Sequence, residues 1–102
     1  MADMDACRAT LPIWGLFSAL GLQGADKVGA WGGGGGEAKI CSPFREDNSP
    51  SFSVFTRDGV GLWKDHGTGE GGDEIKLIEA ARGIPTKEAM RLYCELAGVP
   101  WE

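Results

Sequence analysis

A chain of 102 residues makes one domain, or a piece of a longer protein, with a modest core. Its 10 Lys and Arg against 15 Asp and Glu leave a net charge of -5, which excludes a uniformly basic, strongly nucleic-acid-binding surface but not a local basic face. A hydrophobic content of 42% excludes disorder, and three widely spaced cysteines (Cys7, Cys41, Cys94) exclude a disulfide framework. No apolar run approaches the roughly 18 residues of a membrane span and no signal peptide leads the chain, so it reads as cytoplasmic and away from membranes.

Residues 1–9 are polar and unpatterned and read as a disordered N-terminus, so that a single domain spans 10–102. Thr10 to Leu20 reads as one N-terminal helix, with Pro12 tolerated in the first turn. Ile13, Leu16, Phe17 and Leu20 recur as one apolar stripe, and Gly21 stops it. Lys27–Trp31 and Glu37–Ile40 read as short strands of a hairpin around the run Gly32–Gly36, a mobile tip. That run lacks the Gly-Lys-Ser/Thr ending of a phosphate-binding loop.

Ser51 to Arg57 alternates as a two-sided strand does. Asp58-Gly59 supplies the positive φ angles of a two-residue hairpin turn, and Val60 to Asp65 returns antiparallel. Alternation places Phe55, Arg57, Trp63 and Asp65 on one face of this second hairpin, and Phe52, Val54, Val60 and Leu62 on a more apolar one. Gly67–Gly72 is a loop feeding a helix from Asp73, its cap, to Arg82, with Gly83 as stop. Glu70, Asp73 and Glu74 at that helix start repel anions, so no phosphate site is expected there. Thr86 to Ala97 reads as the last helix, capped by Thr86 and stopped by Gly98. The fold class is therefore α+β: a small antiparallel sheet of two hairpins, with one helix before it and two after.

The stretch Pro43-Phe44, Pro50-Ser51-Phe52, the hairpin, Gly71-Gly72-Asp73 and the helix beyond resembles the N-terminal zinc-ribbon domain of bacterial and phage DNA primases. The resemblance spans roughly residues 10–99 and is most specific between 42 and 75. In that family a Cys-Pro-x-His pair and a Cys-x-x-Cys pair frame such a hairpin and hold one zinc. Here the first pair falls on Ser42 and Arg45 and the second on Asp65 and Thr68, none of them Cys or His. The chain resembles the primase ribbon with its zinc ligands replaced, and zinc is expected to be absent. Arg45 and Asp65 would face each other across the former site, either as an ion pair aided by the hydroxyls of Ser42 and Thr68, or each solvated. A pair is worth roughly 1–3 kcal/mol against on the order of 10 for a structural zinc, so the core has to supply the remainder. The alternative metal set, Cys41 and His66 with Asp65 and Cys7 or Cys94, fails on ligand count and on strand facing.

The resemblance implies a non-catalytic module that positions single-stranded template DNA, partnered by a downstream primase catalytic domain or helicase, of the kind that phages and mobile elements encode. Single-strand binding needs cations and an aromatic face on which bases stack; the candidates are Phe55, Arg57, Trp63, Lys64 and Lys39, with Lys27 beside them. Phe55 and Trp63 could instead pack beneath a helix. The alternative function is a metal-free protein–protein docking domain of a primase or helicase assembly. No residue set suggests an enzyme: His66 is the only histidine, and no nucleophile has a base partner at a recognisable spacing. Ending at Pro100-Trp101-Glu102, the chain reads as the N-terminal module of something longer.

Overall fold

The structure is a computed structural model and describes residues 4–46 and 49–101. It is α+β, with a four-stranded antiparallel meander and five short helices. In order these are α1 (Met4–Thr10), α2 (Ile13–Ala19), α3 (Ala25–Trp31), β1 (Glu37–Ile40), β2 (Phe52–Arg57), β3 (Val60–Asp65), β4 (Gly71–Asp73), α4 (Glu74–Arg82) and α5 (Thr86–Ala97). The sheet order is β1-β2-β3-β4.

The N-terminal third differs from the sequence reading. The single helix expected over 10–20 is two. Pro12, at φ -65° and ψ 167°, lacks an N–H and its ring keeps Leu11 out of the helical region, so α2 starts at Ile13 and Thr10 ends α1 instead of capping. Residues 1–9 were expected to be frayed, yet from Met4 onward they form α1; residues 1–3 lie outside the described residues. Long-range partners hold α1. Cys7 is buried against Cys94, Arg8 Nε donates to both oxygens of Glu74 at 3.1 Å, and the Tyr93 hydroxyl donates to the Leu11 carbonyl at 2.7 Å. Glu74, one of the three acids at the start of α4, is 1% exposed; its Oε2 also accepts the Gly61 N–H at 2.8 Å. The charge is buried because two donors, Arg8 Nε and the Gly61 N–H, meet it with three hydrogen bonds.

Residues 27–31 are helical, so the first expected hairpin does not form. Val28 turns into the core, Gly32 caps α3 in the left-handed region, and Glu37–Ile40 pairs with β2 instead. The first part of the glycine run is packed, while Gly35 and Gly36 have open space around them. The Trp31 indole donates to the Gly35 carbonyl at 2.9 Å, and a Cβ on Gly33 would press into the ring of Trp14.

The C-terminal half follows the reading except that Gly71–Asp73, expected as loop and cap, pairs with β3 as a fourth strand. Asp58 (φ 53°) and Gly59 (φ 80°) make the tight turn between β2 and β3. Asp73 caps α4 by accepting the Lys76 N–H at 3.1 Å, and Gly83 and Gly98 end α4 and α5 with left-handed residues. Pro85, not Thr86, holds the cap position of α5; the Thr86 hydroxyl donates to Glu79 instead. The core lies between one sheet face and the helices. Leu16 and Phe17 of α2, Val28 of α3, Leu77 and Ile78 of α4, and Tyr93 of α5 meet Ile40, Phe52, Val54 and Trp63 of the sheet. Among the described residues no helix is long and apolar enough to cross a membrane.

Candidate nucleic-acid interface

The two-residue turn sets the facing of the whole hairpin. Arg57 pairs with Val60, Phe55 with Leu62 and Ser53 with Lys64; Val54 pairs with Trp63 and Phe52 with Asp65. Directly opposed residues share a face. Trp63 and Asp65 therefore lie with Phe52 and Val54, and Val60 and Leu62 lie with Phe55 and Arg57, the reverse of the expected assignment for β3.

Trp63 is thereby removed from the candidate interface. It is 4% exposed and stacks on Phe52 at 5.3 Å with the ring planes 9° apart. Phe44 meets both rings edge-on at 5.9 Å, and the Trp63 indole donates to the Asp73 carbonyl at 3.0 Å. Lys27 also drops out, since it is carried by α3 and not by a strand.

The remaining candidates come together. Lys39 opposes Ser53, and Ser53 opposes Lys64, so the two lysines flank one row across the sheet. The next row is Glu37, Phe55, Leu62 and, on β4, Asp73, and the third is Arg57 and Val60. Lys39, Arg57 and Lys64 are exposed; Phe55, Val60 and Leu62 are half-buried and stand outside the core cluster. The one acid on β1 to β3 of this face is Glu37, 3.6 Å from Lys39. Among the described residues no ion pair engages Arg57 or Lys64. His66, just past β3, closes the lysine row with its Nε2 3.0 Å from the Ser53 hydroxyl. The sequence reading treated His66 only as a possible ligand; its cross-sheet contact depends on the strand register.

At one end of the sheet the positions matching the ribbon ligands form a clasp. Arg45 reaches Asp65 with both arms of its guanidinium, Nη2 to Oδ1 at 2.8 Å and Nε to Oδ2 at 3.2 Å. Asp65 Oδ1 also accepts the backbone N–H of Gly67 at 2.9 Å and of Thr68 at 3.3 Å. The carboxylate is 5% exposed, the guanidinium 34%. The hydrogen bond from Arg45 holds the Asp65 carboxyl below its ordinary value against the opposing effect of burial, and the Gly67 N–H adds to it. Gly67 leaves room for this, because a Cβ there would overlap the Arg45 guanidinium. The hydroxyls play other parts than expected. Ser42 Oγ accepts the Phe44 N–H at 3.2 Å and Thr68 Oγ1 accepts the Glu70 N–H at 3.2 Å, each closing its own turn, while Ser51 Oγ accepts from Arg45 at 2.9 Å.

Among the described residues no group of three or more His, Cys, Asp or Glu is placed to hold a metal ion. Of the alternative metal set, Asp65 is committed to Arg45, His66 to Ser53, and Cys7 to Cys94. No family model, no characterised protein and no solved structure matches this chain.

Proposed function

We propose that this chain is a non-catalytic module that holds single-stranded nucleic acid, template DNA in replication, on the outer face of its sheet. The observation that carries the reading is the uncovered face with Phe55 at its centre and Lys39, Lys64 and Arg57 around it. An aromatic ring gives a base a stacking platform whatever its identity, and cations on either side take the phosphates. Three cations against two acids, Glu37 and Asp73, leave this face slightly positive on a chain of net charge -5. The module is of the primase zinc-ribbon kind, with the metal replaced by the Arg45–Asp65 clasp and by the Phe44–Phe52–Trp63 ring cluster beside it. A primase catalytic domain or helicase is the partner this reading implies.

The test is anisotropy of a fluorescently labelled single-stranded DNA about 12 nucleotides long. Trp63 is too enclosed to report by its own fluorescence. Saturable binding is expected, weakened roughly 5- to 100-fold by Phe55→Ala and left unchanged by Lys87→Ala on α5. Absence of binding would shift the same face to the protein-docking reading, which Phe55, Val60 and Leu62 would then serve as an apolar patch.

A further inference from the structure

The clamp on α1 contains a pair of thiols with no part in the nucleic-acid reading. Cys7 Sγ lies 3.5 Å from Cys94 Sγ, across 87 residues of chain, and the two residues are 0% and 1% exposed. A disulfide needs its sulfurs about 2.05 Å apart, so closing the gap takes a shift of about 1.5 Å, the scale of a small side-chain rotation. Cys41, the third cysteine, sits just past β1 and is half-buried. α1 is a seven-residue helix near the N-terminus, and elements of that kind open locally at less cost than the whole fold. Opening of α1 uncovers the Cys7 thiol it carries, and reclosing brings it back into contact with Cys94.

We propose that Cys7 and Cys94 form a redox modification site, oxidised by a low-molecular-weight disulfide to a cross-link that fastens α1 to α5. In the opened form the Cys7 thiolate attacks one sulfur of the small disulfide, giving a mixed disulfide and releasing one small thiolate. On reclosing, the Cys94 thiolate attacks Cys7 Sγ, forms the Cys7–Cys94 bond and expels the second small thiolate. The two protons lost by the cysteines end on the two released thiols. Two protein thiols are oxidised and one small disulfide is reduced.

The experiment incubates the whole chain, carrying Cys41→Ser to leave two thiols, with oxidised glutathione under native conditions. Intact mass after alkylation and peptide mapping then read the product. The expected result is a loss of 2 Da, no remaining alkylation site, a Cys7–Cys94 cross-linked peptide, and a Tm raised by about 10 °C because an 87-residue separation is closed. Reversal by dithiothreitol returns the original Tm. Stable glutathione adducts without the 2 Da loss would overturn the proposal, as would cross-linking only in denaturant or a cross-linked form with a lowered Tm. The wild-type chain treated in parallel should give the same Cys7–Cys94 peptide; a cross-link through Cys41 instead would equally overturn it.

Discussion

Asp65 concentrates more interactions than any other polar residue near the sheet: two hydrogen bonds from Arg45 and two from the following turn. Replacing it by Asn removes the charge that all four donors face, and urea unfolding should show a loss of about 1–3 kcal/mol, less than for a fully buried pair because Arg45 is a third exposed. The pH dependence follows from the direction of its shift. A carboxyl lowered on folding stabilises the fold in full above its unfolded value, near 4, and loses that contribution as pH falls through the folded value. The stability gap between wild type and Asp65→Asn should therefore be flat from about pH 8 to 5 and close below about pH 4. A gap that closed near pH 6 would assign the effect to another group. Gly67→Ala should weaken the clasp without touching either charge, since its Cβ would displace the guanidinium. The sequence offered the Arg45–Asp65 pair as one of two readings, the other being two solvated side chains, and the two-armed contact decides for the pair. The part of Ser51 was not legible, as its approach to Arg45 depends on how the chain between β1 and β2 folds back.

Among the elements, β3 and α3 carry the main lessons. The two-residue turn was legible from Asp58-Gly59, and it dictates that Arg57 pairs with Val60. Counting across that pair puts Trp63 opposite Val54, in the core. Assigning each strand's faces by alternation alone slips β3 by one residue, and in a strand one residue exchanges the faces. α3 was misread because Val28 and Trp31 favour strands locally, whereas burial of Val28 and packing of α3 on α2 and β1 decide the outcome. α1 was missed because its partners, Glu74 and Cys94, lie 66 and 87 residues away, beyond any local window. The glycine run offers a direct check. Gly33 (φ 77°) abuts Trp14, while Gly35 (φ 98°) has open space around its missing Cβ. Gly33→Ala should cost about 2 kcal/mol or more, from strain and overpacking together, and Gly35→Ala about 1 from backbone strain alone. Equal costs would mean that the run does not pack as described.

An acidic chain can still bind an anionic polymer where its cations are grouped, and grouping is what the register achieves for Lys39, Lys64 and Arg57. If the clasp stands where a ribbon holds zinc, restoring the ligands should restore the metal. The quadruple variant Ser42→Cys, Arg45→His, Asp65→Cys, Thr68→Cys should take up one zinc per chain, and cobalt in its place should show the absorption of a tetrahedral thiolate site. Failure to bind either ion in a folded variant would count against the ribbon lineage while leaving the open sheet face untouched. The most direct test of the nucleic-acid reading is the salt dependence of single-stranded DNA affinity. Three phosphate contacts predict a log–log slope of about -2, an affinity about 20-fold weaker at 200 mM than at 50 mM salt, and a slope smaller by about 0.7 in Arg57→Ala. No saturable binding at 50 mM, or binding that salt leaves unchanged, would contradict the assignment of this face to single-stranded DNA.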